Sequence, residues 1–362
     1  MKILDKVILR EIVPNFFFGV LTFTSLIVGV GAVLKFLRLA MDYNTSAIVV
    51  AQLFLLKMPE IVTYTLPMST LFCILLGFSR LSGDLEITAF RSAGQSFYRL
   101  MVPVTIFAFL ISLAGLIMSD KVVPASNERF SRIIQKETSG GDKKREGMNV
   151  FYKNSDDGEL KEIVYANSLH GNNMDEVLYQ EYREGRLWRA TMAEEAEWLK
   201  HSWKFVNGRR YEFAPSGELK NVVRFEELHI IILMSPAELI QHQKQPDSLS
   251  LREMRERIAY LKRENVMERD VRKLQVDYHA KMAIPFASFM FALIAAPLGL
   301  RPIRAGTSIG LGISVIIIFF YYALQQIFRI LGQGWLEPAL AAWLPNLILL
   351  ALGAMLIKRA NR

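Results

Sequence analysis

Residues 100–119 read LMVPVTIFAFLISLAGLIMS, a run of 20 residues without a charged side chain. A helix rises about 1.5 Å per residue, so a run of this length crosses the roughly 30 Å hydrocarbon core of a bilayer. Four more charge-free runs repeat the pattern: Val13 to Leu34, Ala283 to Leu300, Thr307 to Phe328 and Pro338 to Ile357. A sixth apolar stretch, Ala47 to Phe78, is longer than a span needs and is interrupted by Lys57, Pro59, Glu60 and Pro67. It predicts a long, tilted or kinked helix with its core from Ile61 to Phe78. The fold class is therefore a membrane α-helical one with six transmembrane helices, and an even number of spans puts both termini on one side.

Charge distribution sets the orientation. The short segments on the side of the termini hold Lys2, Lys6, Arg10, Arg80, Arg91, Arg99, Arg301, Arg304, Lys358, Arg359 and Arg362, whereas the opposite short loops hold Lys35, Arg38 and Arg329. The excess of basic residues on the cytoplasmic side of membrane proteins predicts cytoplasmic termini and a non-cytoplasmic region from Lys121 to about Ser250. Val13 to Leu34 lacks a short apolar core followed by a small-residue cleavage site, so it reads as a retained anchor.

The outer region is near neutral, with 19 Lys/Arg against 21 Asp/Glu. The chain's net charge is +8, so a surplus of about ten positive charges lies in the spans, their flanks and the helix after the domain, which excludes a nucleic-acid partner. Short strands are predicted at Met148 to Lys153, Glu162 to Ser168, Glu176 to Tyr182, Arg186 to Met192, Trp203 to Asn207, Arg210 to Phe213 and Val222 to Ile232. Turn signals separate several of them, as an antiparallel sandwich or open barrel requires. Trp203 with Phe205 and Val223 with Phe225 show the two-residue alternation of a one-sided sheet. That apolar face suits the domain's own core, and also a lipid chain. Leu251, Met254, Ile258 and Leu261 then mark an amphipathic helix, with Ser248 or Ser250 as its cap. The organisation expected is residues 1–120 for three spans, 121–247 for the β domain, 248–276 for a connecting helix and 277–362 for three further spans.

Catalytic and metal chemistry find no support. The five histidines are scattered, Cys73 stands alone inside a span, and no phosphate-binding glycine loop occurs. Gly306-Thr307-Ser308-Ile309-Gly310 has the spacing of a serine nucleophile elbow, but it opens a span, and small residues there serve helix packing. No catalytic residue, metal or cofactor is assigned to this chain.

The informative stretch follows the second span: Gly77-Phe78-Ser79-Arg80-Leu81-Ser82-Gly83-Asp84-Leu85-Glu86-Ile87-Thr88-Ala89-Phe90-Arg91-Ser92-Ala93-Gly94. It predicts a short cytoplasmic helix over about 82–94, with Ser82 as cap and Gly94 as stop. Leu85, Ile87, Ala89 and Phe90 are more apolar than a solvated connector needs, so the helix suits a socket on a partner. Glu86 is also simply favourable at a helix N-terminus.

A proline-bearing second span, an acidic-x-Glu-Ile-Thr helix and a Ser-Ala-Gly ending resemble the coupling region of the LptF/LptG permeases of the lipopolysaccharide exporter. Pro297-Leu298-Gly299-Leu300-Arg301-Pro302 after the fourth span adds to the likeness, which extends over nearly the whole chain. The resemblance implies a jelly-roll-like periplasmic β domain, a bacterial inner-membrane location and a docked LptB-like ATPase dimer that uses the ATP. It further implies a second LptF/LptG-like permease, the same or a paralogous chain, LptC/LptA-like periplasmic bridge proteins, and lipopolysaccharide as cargo. It assigns ATPase coupling to Glu86 with Leu85, Ile87, Phe90 and Arg91, and substrate binding to Lys35, Arg38, Arg129 and Arg132. Lys35 favours the G side of the family and Pro59-Glu60 the F side. Lys35 and Arg38 share a helix face that fits lipid phosphates, and snorkelling to headgroups accounts for them equally. Arg129 and Arg132 likewise fit either a cavity rim or a solvated face. Lys57 and Glu60 are spaced to pair within the second span. A different class, an envelope sensor or scaffold that moves no lipid, fits the same architecture.

The phosphate-binding reading of Lys35 predicts that Lys35→Ala slows lipid extraction in a reconstituted transport assay while the assembled complex is recovered in normal yield. Equal transport by the variant removes the role.

Overall fold

The computed structural model describes residues 3–32, 46–138, 150–156, 159–199, 202–232, 236, 239, 246–263, 268–300 and 307–361. Two compact units emerge, Met1–Asn127 with Ser250–Arg255 and Arg272–Arg362, and Glu128–Leu249 with Glu256–Val271.

The first unit holds helices α1 (Ile3–Ile27), α2 (Ala47–Gly83), α3 (Glu86–Ser92) and α4 (Phe97–Ile117), and later the long α7 (Glu268–Gly299), α8 (Thr307–Gln333) and α9 (Pro338–Ala360). Between them, α5 (Val123–Thr138) and α6 (Leu251–Arg263) flank the β domain in sequence. Among the described residues six helices are long and apolar enough to cross a membrane, as the hydropathy pattern predicts. Short π-helical segments, Val28–Ala32 and Met118–Val122, follow α1 and join α4 to α5.

α2 is the spine of this unit. It runs 37 residues through Pro59 and Pro67 without ending, because a bilayer offers the backbone no alternative partner and neighbouring helices support the kinks. Its hydroxyls bond back to their own helix: Thr63 Oγ1 donates to the Pro59 carbonyl and Ser69 Oγ to Thr65, so they enter apolar packing satisfied. Tyr322 of α8 donates to the Tyr64 carbonyl at 3.1 Å. The predicted Lys57–Glu60 pair forms, and Asn127 Nδ2 joins it with a 2.9 Å bond to Glu60 Oε2. Elsewhere the spans are pinned by polar contacts. Tyr321 on α8 donates to Asn346 Oδ1, Asn346 Nδ2 donates to the Ala283 carbonyl, and Arg329 meets the buried Asp277 at 2.6 Å.

The second unit carries one antiparallel sheet, β1 (Val150–Asp156), β2 (Glu159–His170), β3 (Asn173–Arg183), β4 (Arg186–Leu199), β5 (Ser202–Phe213) and β6 (Leu219–Ile230). The order is β1-β2-β3-β4-β5-β6, each strand paired with its sequence neighbours. The β domain is present as expected; its strand order among the described residues is an up-and-down meander, so the jelly-roll likeness does not extend to connectivity.

Of the seven expected strands, Trp203 to Asn207 and Arg210 to Phe213 merge into β5, so the described residues form six. Asn207 takes a left-handed φ of 52° within the strand, and the ladder keeps its register across the break expected there, with Gly208 opposite Ala193 and Phe225. Phe225 lies over Gly208 so closely that a Cβ there would fall 2.2 Å from its ring and 2.4 Å from the Met192 carbonyl.

One face of the sheet buries Val150, Val164, Ala166, Val177, Ala193, Trp203 and Phe205, with Tyr260 packed against it. Register carries that face into polar residues. Val164 is level with Tyr179, which is level with Thr191, and the next row runs Glu162, Glu181, Arg189, Glu212. Tyr179 donates to Glu162 Oε2 at 2.8 Å. Burial pushes the Tyr179 hydroxyl up, with the Glu162 carboxylate adding to it, and burial likewise raises Glu181.

The single connecting helix expected over 248–276 is two described helices, α6 and the start of α7, with residues 264–267 outside the described ones. Ser250 opens α6 with a capping box. Its hydroxyl accepts from the Glu253 amide, and Glu253 Oε2 accepts from the Ser250 amide at 2.8 Å.

Gly208→Ala should cost about 1–3 kcal/mol through overpacking against Phe225 and the Met192 carbonyl. Hydrogen exchange on the full chain checks this, with amides of β4 to β6 exchanging faster and those of α2 unchanged.

Candidate coupling site

The reversal between α2 and α4 is built in three steps. α2 ends at Gly83, its last turn held by the Asp84 amide donating to the Arg80 carbonyl at 2.9 Å. Leu85 then adopts a left-handed conformation, φ 62° and ψ 9°, and its carbonyl accepts the first helical bond of α3 from Ala89. This conformation costs a residue with a Cβ about 1–2 kcal/mol, and it turns the chain so that α3 leaves α2 at once. At the far end the Gly94 amide donates to Arg91 and the Gln95 amide to Phe90, with Gly94 at φ 80°. That pair of bonds is the glycine-terminated stop predicted from sequence. Ser96 then opens α4, its hydroxyl accepting from the Arg99 amide.

The expected helix over 82–94 is thus shortened to Glu86–Ser92. Ser82 is no cap. It lies inside α2, and its hydroxyl donates to the Leu300 carbonyl at 2.6 Å. Leu85 occupies the cap position instead.

Seven residues are too few to hold a helix in water, so α3 depends on its inward face. Ile87 is 5% exposed and belongs to the same buried cluster as Ile8, Leu81 and Phe97, with Phe90 packed against it. The outward face is Leu85, 66% exposed, together with Thr88, Ala89 and Arg91. Glu86 is partly exposed at the first helical position, where its carboxylate meets the positive end of the helix dipole. Among the described residues no cation lies within ion-pair distance of Glu86. The arrangement presents an apolar knob and an available carboxylate side by side on a buttressed turn, a surface shaped to receive a cation beside an apolar socket.

Lys35 and Arg38 lie outside the described residues. Arg129 and Arg132 are both exposed on α5, and Arg132 pairs with Glu128 at 2.6 Å. Among the described residues no group of His, Cys, Asp and Glu is arranged to hold a metal. Sequence reading missed Asp5 and Glu11, which face Arg99 and Arg80 across the α1 flank. Their signal was the presence of two acidic residues in a flank otherwise rich in basic ones.

Six membrane spans among the described residues, a β domain inserted between the third and fourth, and a buttressed helix at the reversal between the second and third make a multi-pass membrane protein with one inserted β domain. The chain belongs to the LptF/LptG family: residues 6–359 match the Lipopolysaccharide export system permease LptF/LptG. The Lipopolysaccharide export system permease protein LptF of Escherichia coli (strain K12) is 21% identical over 328 residues, covering 89% of this chain and 86% of that protein. The LptF protein of Shigella flexneri matches with the same figures. The chain is therefore a multi-pass membrane protein of a lipopolysaccharide export system, a transport subunit and not a catalytic one.

Ile87→Ala removes the anchor of α3 at a cost of about 2–5 kcal/mol. Limited proteolysis of the full chain should then cut between Asp84 and Ser96 at a protease level the unsubstituted protein withstands.

Proposed function

We propose that this chain is one permease half of an ATP-driven exporter, which extracts lipopolysaccharide from the bacterial inner membrane and passes it to a periplasmic protein bridge. A separate LptB-like ATPase dimer hydrolyses the ATP and docks on α3. The observation that carries this reading is Glu86, held beside exposed Leu85 on a turn whose opposite face is anchored by Ile87. A charge-assisted bond from Glu86 to an arginine in the ATPase would join nucleotide-driven closure to the ends of α2 and α4. The basic residues Lys6, Arg10, Arg80, Arg91 and Arg99 near this turn support a cytoplasmic position for it, and hence a periplasmic one for the β domain.

A second LptF/LptG-like permease closes the lipid cavity against α1 and α8. Among the described residues these two spans are the least buried of the six, and α2 is the most buried. Phe17, Phe18 and Leu21 on α1 and Ile316, Phe319 and Phe320 on α8 are exposed large side chains available to a partner helix or to acyl chains. Lys35 and Arg38, with Arg129 and Arg132, meet the lipid phosphates. Acyl chains pass along the apolar end of the β-sheet face. β6, an edge strand exposed along most of its length, offers its backbone to LptC/LptA-like bridge proteins by strand addition.

Affinity purification of the chain and of Glu86→Arg from membranes, with identification of co-purifying protein and lipid, tests the reading. The unsubstituted chain should bring a cytoplasmic ATPase and a glycolipid, and Glu86→Arg should lose the ATPase while keeping its permease partner. An intact complex that carries no ATPase overturns the exporter reading and favours the sensor or scaffold.

A further inference from the structure

Both arms of the hairpin that carries α3 are fastened to the same helix, α1. From the α4 arm, Arg99 Nη2 lies 2.7 Å from Asp5 Oδ1, with side-chain exposures of 24% and 16%. From the α2 arm, Arg80 Nη1 donates to Glu11 Oε1 at 3.1 Å. Two further contacts steady the hairpin on other helices: Ser82 on the Leu300 carbonyl, and the Phe97 amide donating to Asn361 Oδ1 at 3.2 Å.

α1 has a close neighbour along its length in α2. A Cβ at Gly77 would sit 3.3 Å from the Ile12 side chain, and one at Gly19 would sit 3.3 Å from the Ser69 Cα, so the two helices pack closely at both places. Farther along, the Thr24 and Thr65 hydroxyls are 3.3 Å apart. The opposite face of α1, with Phe17, Phe18, Leu21 and Leu26, is exposed. Past its end come the π-helical segment Val28–Ala32 and then Lys35.

We propose that Asp5–Arg99 and Glu11–Arg80 are tethers that make α1 follow α3. A displacement imposed on the coupling turn then moves the helix leading to Lys35 rather than being absorbed within the turn. This rests on the reading of α3 as the docking helix. Asp5–Arg99 is the stronger tether, because at 2.7 Å it is the shorter and less exposed of the two pairs. Arg80 is 69% exposed and also lies 3.7 Å from Asp84, so its pair with Glu11 contributes less. Asp5 and Arg99 are positioning residues, assigned neither to the docking face of α3 nor to lipid binding.

The test uses the full complex in proteoliposomes, reading ATP hydrolysis and lipopolysaccharide released to a soluble acceptor in the same sample. Asp5→Asn and Arg99→Gln should keep complex yield and ATPase near the unsubstituted level while lipid released per ATP falls about fivefold or more. The charge swap Asp5→Arg with Arg99→Asp should recover that ratio, and Glu11→Gln should lower it less. An unchanged ratio in the single variants overturns the proposal, as does a parallel loss of yield, ATPase and release that the swap leaves uncorrected. If the Asp5 variants fail to assemble, Glu11→Gln decides, and an unchanged ratio there overturns it too. Absence of ATPase from the unsubstituted complex would overturn the docking reading instead, an outcome the tether variants cannot produce.

Discussion

Burial of Ile87 in the membrane-domain core is the interaction on which the rest depends. A seven-residue helix on a reversal has too few internal hydrogen bonds to persist in water. Its shape is borrowed from the cluster that also contains Ile8, Leu81 and Phe97. Once Ile87 is fixed, the 100° step of the helix decides what neighbours it: Glu86 and Thr88 are turned toward the surface, and Phe90 returns to the core one turn later. The left-handed Leu85 is the cost of reversing sharply enough to place Ile87 there, and the buried side chain offsets it.

This turn is mechanically connected because α2 is the most buried span and α1 lies against it. The less buried spans, α1 and α8, hold their places through core side chains such as Ile12, Phe16, Ile318 and Tyr321 and through specific contacts: the Gly19 and Gly77 approaches, the threonine pair, Tyr322 on the Tyr64 carbonyl and Arg329 on Asp277. Polar links of this kind position apolar helices in lipid, where hydrophobic burial gives no preference between a neighbouring helix and an acyl chain. A helix held by discrete contacts on one side and free on the other is suited to line a cavity that changes its width.

Much of this was legible in the sequence. Five charge-free runs fix five spans by length alone, and the sixth survives its prolines because a chain inside lipid cannot afford to stop. Gly94 announced the end of the coupling helix, since few other residues take a positive φ without strain. The helix start was misplaced at Ser82. A serine before an acidic residue is a good local cap signal, but the Leu300 carbonyl claims the hydroxyl, and that carbonyl lies more than two hundred residues away in sequence. The break expected between Trp203 to Asn207 and Arg210 to Phe213 failed in a similar way: pairing on both sides carries β5 through Gly208, which lies beneath Phe225. Asp5–Arg99 was invisible because it joins two helices whose contact depends on how the hairpin folds back. Local chemistry was readable, and contacts set by the fold were not.

The central claim is that Leu85 and Glu86 face a cytoplasmic ATPase. Photo-crosslinking in intact membranes tests it most directly, with a benzophenone side chain placed at Leu85 and, as a control, at the exposed mid-span residue Ile106 of α4. The account predicts a covalent adduct between Leu85 and a nucleotide-hydrolysing cytoplasmic protein, and none from Ile106. Failure of Leu85 to capture such a protein, or equal capture from both positions, would contradict it.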